Sequence, residues 1–154
     1  MSLREENNMS DKYARLRLDN QLCFPLYACS REIIRTYKPF LDAIDLTYTQ
    51  YITMMVVWEE RQISVKEMGK RLYLDSGTLT PVLKKLEAKG YVTRKRSEID
   101  ERSLIVTLTD KGEALQDKAL CVPEQMGQCL HLSSEDARQL CQILRRWLET
   151  YDEE

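Results

Sequence analysis

Apolar side chains recur at helical spacing in the middle of the chain. They stand at positions i, i+3, i+4 and i+7, and they are Leu79, Val82, Leu83 and Leu86. This spacing predicts a helix with one apolar stripe that faces a core. Gly90 is predicted to end the helix, because a residue with positive φ is favoured there. Residues 91–96 and 103–108 then alternate in the manner of strands, so the helix leads into a predicted β-hairpin.

Two helices are predicted before this one from their starting signals. Two residue pairs have the spacing of a capping box, Thr47 with Gln50 and Ser64 with Glu67. The first helix runs to about Glu60 and is apolar nearly all round, which predicts a buried central helix. The second runs through Leu72, with a short strand at Ile63 before it and a tight turn at residues 73–75 after it. Two helices joined by a tight turn and followed by a hairpin form a winged helix-turn-helix.

The helix that precedes the predicted hairpin has two possible starting positions. If Ser76 caps this helix, Pro81 lies in its interior and deletes a backbone hydrogen bond. If Thr78 is the cap, Pro81 falls within the first turn and costs little. The sequence does not choose between the two.

Apolar stripes at both ends of the chain predict flanking helices. Residues 13–36 have the pattern of one helix, with a start or a kink between Asp19 and Pro25. Lys38-Pro39 is predicted to end this element.

The C-terminal part is predicted to hold further helices. Thr109 caps a helix over residues 110–120, Pro123 breaks or kinks the chain, and Ser133 with Asp136 begins a last amphipathic helix. Such terminal helices either cover the domain's own core or pair with a second copy, and two copies suit a two-fold DNA site.

The predicted fold class is α+β, mainly helical, with one domain over residues 1–154. Within it, residues 47–109 form the winged helix-turn-helix, and residues 13–40 and 110–152 form dimerisation helices. No apolar run approaches the roughly 20 residues that span a bilayer, and the N-terminus has no hydrophobic signal segment. We therefore expect a cytoplasmic protein with no membrane partner.

The net charge of −2 hides an asymmetry along the chain. Residues 61–102 hold eleven Lys/Arg and six Asp/Glu, which gives +5, whereas the remainder holds twelve and nineteen, which gives −7. Local potential decides where a polyanion docks. The positive segment coincides with the predicted helix and hairpin, which favours double-stranded DNA as the partner.

Short hydroxyls and cations occupy the face of the helix opposite its apolar stripe. Such groups hydrogen-bond base edges and phosphates. The candidate DNA-binding residues on this helix are Ser76, Thr78, Thr80, Pro81, Lys84 and Lys85. The hairpin adds Arg94, Lys95 and Arg96 before its turn and Asp100 and Arg102 at its far side. A hairpin with so basic a tip can follow a phosphate backbone or enter a minor groove.

The five cysteines form an odd set without a Cys-x-x-Cys pair, which fits neither a secreted disulfide framework nor a standard zinc site. His131 near Cys129 matches no common zinc spacing. We therefore predict no metal and no cofactor, with thiols that are reduced at rest.

Several motifs together resemble the MarR family of transcription regulators. The winged helix is followed by Asp100-x-Arg102 and by Leu108-Thr109-x-x-Gly112. More narrowly, the chain resembles the OhrR branch, the organic-hydroperoxide sensors. The motifs that carry this second resemblance are LDNQLCF at 18–24, LTY at 46–48 and LYLDSGTLTP at 72–81, whereas Pro25 stands where the branch motif has alanine.

The resemblance implies a homodimeric repressor that leaves a pseudo-palindromic operator when Cys23 is oxidised by an organic hydroperoxide. It also implies that Tyr37 and Tyr48 hydrogen-bond this thiol. Tyr37 lies fourteen residues beyond Cys23. Along one helix that is about 21 Å at 1.5 Å per residue, so the contact must come from the other subunit. In a two-cysteine subgroup a C-terminal thiol resolves the sulfenic acid, and Cys129 and Cys121 are the candidates here.

Two other functions were weighed against thiol sensing. Many MarR relatives are released by a small aromatic ligand in the dimer crevice, and this alternative stays open. A thiol peroxidase is disfavoured because the sequence has no catalytic cysteine motif of that kind. We therefore predict a regulator that is not an enzyme.

Overall fold

The computed structural model describes residues 12–97, 99 and 103–152 of the chain. Two short 3-10 turns, Ala14–Leu16 and Leu18–Asn20, open the described part. The helices are α1 (Cys23–Asp42), α2 (Tyr48–Glu60), α3 (Val65–Leu72), α4 (Ser76–Ala88), α5 (Asp110–Ala119), α6 (Cys121–Cys129) and α7 (Ser134–Asp152). The strands are β1 (Gln62–Ser64), β2 (Val92–Arg96) and β3 (Leu104–Leu108). The predicted fold class, mainly helical with a small antiparallel sheet, is confirmed.

The two predicted capping boxes fix where α2 and α3 begin. The backbone N–H of Gln50 donates to Thr47 Oγ1 at 3.4 Å, and the backbone N–H of Thr47 donates to Gln50 Oε1 at 3.1 Å. Ser64 and Glu67 exchange the same two bonds at 3.1 and 3.4 Å. Each box satisfies backbone donors that the first turn of a helix leaves without a partner. Both helices begin and end where the sequence predicts.

The first long helix begins within its predicted window and ends beyond its predicted end. It begins at Cys23, between Asp19 and Pro25, and the residues before it form 3-10 turns instead of a first stretch of the same helix. Pro25 is its third residue and therefore sits in the first turn, where the missing N–H has no helical acceptor to lose. The predicted end at Lys38-Pro39 is wrong. The helix continues to Asp42, since Pro39 lies in its last turns and removes only one backbone bond.

Both proposed starts of α4 are wrong, because Asp75 is the cap. Its Oδ1 accepts the backbone N–H of Thr78 at 2.8 Å. Pro81 is consequently the sixth helical residue and lies inside the helix. The helix tolerates the lost bond because Leu79, Leu83 and Leu86 of its apolar stripe are fully buried.

The wing is a three-stranded antiparallel sheet in the order β1-β3-β2. Val106 in the central strand pairs with Ile63 on one side and with Arg94 on the other. Gly90, with a φ of 79°, makes the predicted turn between α4 and β2. The base of the sheet joins the main core, which is formed by the side chains of Met54, Val57, Met68, Leu79, Leu83, Leu86, Val92 and Val106.

The C-terminal helices begin close to their predicted positions. Thr109 caps α5 by accepting the backbone N–H of Gly112 at 3.0 Å, and Ser133 accepts the backbone N–H of Asp136 at 3.0 Å before α7. The chain breaks at Leu120, so Pro123 lies in the first turn of α6. Of the α7 side chains described, Leu144 is the one that is partly shielded from solvent, so most of this helix packs on nothing in its own subunit.

Candidate DNA-binding surface and redox site

The predicted DNA-facing residues of α4 share one solvent-exposed surface. It lies opposite the fully buried stripe of Leu79, Leu83 and Leu86. The exposed set comprises Ser76, Thr78, Thr80, Pro81, Lys84 and Lys85. The local fold therefore presents the hydroxyls and cations together on an open helix face, as insertion into a major groove requires.

Hydrogen bonds within the first turn orient two of these hydroxyls. Thr78 Oγ1 donates to Asp75 Oδ2 at 3.0 Å, and Thr80 Oγ1 donates to the Ser76 carbonyl at 2.6 Å. Their lone pairs stay open to donors such as an adenine or cytosine amino group. The backbone N–H of Thr78, followed by its hydroxyl, holds the pKa of Asp75 below its usual value. Asp75 is therefore a charged cap at neutral pH.

The wing places its predicted contacts in different surroundings. Lys95 and Arg96 are exposed on β2. Arg94 is partly buried, and its guanidinium lies on the carboxylate of Glu87 in α4. Asp100 and Arg102 lie outside the described residues.

A basic groove beside α4 contains residues that the sequence reasoning missed. It has a volume of about 1320 Å³ and lies between α3, the start of α4, the start of β3 and Tyr151 near the end of α7. Lys66 and Lys70 of α3 line it together with Ser76 and Thr80. The first helix of a helix-turn-helix crosses the phosphate backbone, so these lysines are further candidate phosphate contacts. The excess of positive charge in residues 61–102 was the signal that could have found them.

Cys23 lies far along α1 from the two tyrosines, which meet near the other end of that helix. Cys23 is the first residue of α1 and is exposed, and Tyr37 lies in the last part of the same helix. Fourteen residues of continuous helix separate them by about 21 Å. Tyr48 opens α2, and its ring centroid lies 5.0 Å from that of Tyr37. The structure thus brings the tyrosines together and keeps Cys23 of the same subunit away from them.

The tyrosine pair forms a half-buried cluster of hydroxyl donors. Burial raises the pKa of Tyr37, and the neighbouring phenols of Tyr48 and Tyr51 raise it further. Burial also raises the pKa of Tyr48. Both phenols are therefore protonated at neutral pH. Among the described residues neither hydroxyl has a hydrogen-bond partner, so each is free to donate to a thiolate.

The two candidate resolving thiols lie at opposite ends of α6. Cys121 is exposed at its start, and Cys129 is partly buried at its end. Eight residues of helix place them about 12 Å apart. All five cysteines are free. Within the described part of the chain no group of His, Cys, Asp and Glu side chains is arranged to hold a metal ion, and no helix there has the length and apolar character to cross a membrane.

The fold and the exposed basic face define a class of protein. A helix-turn-helix whose second helix is open to solvent, followed by a basic hairpin, is a winged-helix DNA-binding domain. The family profile described as transcriptional regulator SarA/Rot matches residues 35–119 of this chain.

Curated relatives and solved structures agree with this class. The organic hydroperoxide resistance transcriptional regulator of Bacillus subtilis is 49% identical over 92% of this chain and 97% of its own length. Reduced AbfR bound to DNA, from Staphylococcus epidermidis, is 37% identical, with 91% of this chain and 98% of that chain covered and a TM-score of 0.71. The chain belongs to the MarR family of winged-helix transcription regulators, in the organic hydroperoxide regulator branch, whose members are not enzymes.

A second state of AbfR is less similar in shape. The disulfide-formed protein is 38% identical, with 92% of this chain and 98% of that chain covered, but its TM-score is 0.61. The overoxidised AbfR bound to DNA has a TM-score of 0.72, so the present conformation is closer to both DNA-bound forms of that relative than to its disulfide form.

Proposed function

We propose that this chain is a homodimeric repressor that binds a pseudo-palindromic operator and releases it when an organic hydroperoxide oxidises Cys23. The name of the Bacillus subtilis relative supports the inducer, and the DNA-bound AbfR structure supports the partner. The site of action would be the cytoplasm, where the operator is. Regulation, rather than catalysis, is the function of the cysteine in this proposal.

The observation that carries the proposal is the separation of Cys23 from a ready-made phenol pair. Tyr37 and Tyr48 have their rings 5.0 Å apart and their hydroxyls without partners among the described residues. The straight α1 helix puts Cys23 of the same subunit beyond their reach. In a two-fold dimer, Cys23 of one subunit meets the tyrosines of the other. Oxidation of one thiol then acts directly on the contact between subunits.

Exposed apolar side chains supply the interface that this arrangement needs. Phe24, Tyr27 and Ile34 are exposed on α1, and Ile143 and Trp147 are exposed on α7. A monomer would leave this apolar surface exposed to water, and monomeric soluble proteins rarely expose large apolar patches. Residues 13–40 and 110–152 would therefore form the dimerisation region, and residues 47–109 the DNA-binding part.

DNA contacts are assigned by exposure and charge. Ser76, Thr78, Thr80 and Pro81 would face base edges and sugars in the major groove, and Lys84 and Lys85 would face phosphates. Arg96 of the wing would reach the neighbouring minor groove or backbone. The family resemblance assigns Arg102 to the same region, with Asp100 orienting it. Two such DNA-binding parts, one from each subunit and related by a two-fold axis, would contact half-sites about one helical turn apart.

The sensing step uses the Cys23 thiolate as a nucleophile. It attacks the terminal peroxide oxygen, the O–O bond breaks, and the alkoxide leaves as an alcohol after taking a proton. Cys23 becomes a sulfenic acid. A thiol, Cys129 or Cys121 of the protein, then attacks this sulfur and forms a disulfide, and water leaves.

A binding assay on reduced protein tests the proposal. Duplex DNA selected in vitro from a random library with the reduced parent should bind, lose binding after cumene hydroperoxide and regain it with dithiothreitol. Cys23→Ser should stay bound in the oxidant, whereas Cys29→Ser, which removes another exposed thiol of the same helix, should behave like the parent. Equal release in the parent and in Cys23→Ser would overturn the role of Cys23.

A further inference from the structure

One ion pair joins the last turn of α4 to the wing. The Glu87 carboxylate accepts three hydrogen bonds from Arg94, one at Oε1 from the backbone N–H at 3.0 Å and two at Oε2 from Nε and Nη2 at 3.0 and 2.6 Å. The Arg94 and Glu87 side chains are 17% and 36% exposed. Across the described residues no other ion pair has both partners so far from solvent. The Arg94 side chain is also the main cause that holds the pKa of Glu87 below its usual value.

The position of this pair in the fold makes it a pivot. Arg94 is the middle residue of β2, which is an edge strand of the sheet. Its N–H donates to the helix side chain, so the carboxylate acts on the backbone of the wing as well as on the guanidinium. Behind the pair, the buried side chains of Leu86 and Val92 join the same two elements. The wing is therefore held to α4 by hydrophobic packing at its base and by directed polar bonds farther out.

A change of angle at this pivot displaces the outer end of the wing. A strand adds about 3.3 Å per residue, so Arg96 at the end of β2 lies about 7 Å from Arg94. A rotation of about 10° at Arg94 moves Arg96 by about 1 Å, which takes a hydrogen bond to a phosphate oxygen outside its normal range of lengths. The directed bonds to Glu87 restrict that rotation, because a fork of two N–H groups fixes both distance and direction.

We propose that Glu87 and Arg94 are positioning residues for DNA binding, which set the angle between the recognition helix and the wing. Arg94 itself makes no phosphate contact in this view, although its charge and place in the sequence predict one. The inference rests on the proposed DNA-binding function. It assigns to Glu87, an acidic residue near a polyanion, a favourable contribution to DNA affinity.

The two roles of Arg94 predict opposite effects of removing the Glu87 charge. If Arg94 is a phosphate contact restrained by Glu87, then Glu87→Gln frees the guanidinium and removes a negative charge, so DNA binds more tightly. If the pair positions the wing, Glu87→Gln loosens the wing and DNA binds more weakly. The sign of the change in affinity therefore decides between the roles.

Salt dependence gives a second, independent discrimination. Loss of one phosphate contact lowers the slope of log K against log salt by about 0.9. Arg94→Gln should leave this slope unchanged, because a paired guanidinium displaces no DNA counterion. Lys84→Gln, which removes an exposed cation of α4 from each subunit of the dimer, should lower the magnitude of the slope by about 1.8 on the same duplex.

The experiment measures affinity by fluorescence anisotropy on the selected duplex, with full-length protein in dithiothreitol and a series of salt concentrations. Glu87→Gln, Arg94→Gln and Arg94→Lys should each weaken binding about ten-fold, since each removes charge-assisted hydrogen bonds or their fork geometry. The double variant Glu87→Gln/Arg94→Gln should be no weaker than either single variant, because both act on one interaction. Glu113→Gln, which breaks the exposed ion pair with Arg61, is the matched control and should bind like the parent.

Three results would overturn the inference in variants that keep the parent's thermal transition. They are tighter binding by Glu87→Gln, parental affinity in Arg94→Lys, or a fall in the salt slope of Arg94→Gln equal to that of Lys84→Gln. Should Glu87→Gln fail to fold, Arg94→Lys carries the test, because it keeps the charge and loses the fork. Failure of the reduced parent to select any duplex would instead refute the proposed function itself.

Discussion

Replacing Gly112 with alanine should force α5 away from the backbone at Tyr91, where the chain enters the wing. A Cβ at this position would lie 2.1 Å from the Tyr91 carbonyl oxygen and 2.9 Å from Leu108 Cδ1. The first atom belongs to the backbone at the start of the wing and cannot turn aside as a flexible side chain does. Either α5 or the segment at Tyr91 must move.

The expected cost follows from the contacts that such a movement breaks. Overpacking of this kind costs about 1–3 kcal/mol. The carbonyl of Gly112 also accepts the buried indole N–H of Trp58 at 2.8 Å, and loss of that bond adds about 1 kcal/mol. Alanine returns about 0.5–1 kcal/mol through its better helix propensity. We therefore expect a net destabilisation of about 2–3 kcal/mol.

Urea unfolding followed by circular dichroism measures this change. Subunit concentration must be equal in all samples, because the stability of a dimer depends on it. Gly127→Ala is the matched control, since this glycine is also helical and a Cβ there meets no atom within 4 Å. The control should be unchanged or up to about 1 kcal/mol more stable. If both variants unfold at the same urea concentration, the close approach at Gly112 is not a constraint on the fold.

Three further outcomes are expected. Tyr37→Phe and Tyr48→Phe should leave the DNA affinity of the reduced protein unchanged and slow hydroperoxide-driven release about ten-fold, because each loses a hydroxyl donor to the thiolate. Stopped-flow anisotropy measures the release rate. Parental rates in both variants would show that the tyrosines are not part of the sensing site. Burial raises the pKa of both phenols, so they stay protonated across the neutral range. The ratio of release rates between the parent and each variant should therefore be constant from about pH 6 to about pH 9. Glu87 has a lowered pKa in the folded protein because of Arg94; its stabilising effect is therefore complete above the ordinary carboxyl pKa of about 4.3 and is lost as the pH falls through the lowered value. The stability difference between the parent and Glu87→Gln in urea should accordingly narrow below about pH 4, and a difference that grows on acidification would contradict this sign.

Local chemistry explains why much of the fold could be predicted from the sequence. A capping box needs only two side chains three residues apart, so Thr47 with Gln50 and Ser64 with Glu67 mark their helices without any distant contact. The positive φ of Gly90 is equally local. The family resemblance added the pairing of Tyr37 with Tyr48, which the ring contact supports but which no spacing rule would have found.

The errors arose where a local rule competes with a neighbouring side chain or with packing. Asp75 rather than Ser76 or Thr78 caps α4, because three adjacent residues have cap chemistry and only the geometry of the tight turn selects one. Pro39 does not end α1, since Leu41 just beyond it is buried in the core and holds the last turn in place. Turn geometry decided the first case and a tertiary contact the second, between options that the sequence left close in energy.

Arg94 shows that charge in a sequence does not reveal how a cation is paired in the fold. The run Arg94-Lys95-Arg96 gives three cations on one strand, but alternation along β2 points the first toward α4, where Glu87 lies. The partner comes from seven residues earlier, across a turn, and no periodicity links the two. The exposed lysines of α3 are the converse case, because Lys66 and Lys70 belong to no run of cations and only the fold brings them beside α4.

The packing also indicates which part of a subunit can change on oxidation. Met54 and Val57 of α2 and Leu83 of α4 are fully buried in one core, and a close-packed interior does not deform gradually. The Lys89 ammonium, just after α4, also lies 3.0 Å from Asp45 Oδ2 in the loop before Tyr48. Tyr48 and the recognition helix therefore belong to one rigid body. Because α7 is exposed along nearly its whole length, we expect oxidation to rearrange the contacts between subunits. Each DNA-binding part, residues 47–109, would then move as a unit. Two recognition helices that must match half-sites about 34 Å apart lose that match when the DNA-binding parts move.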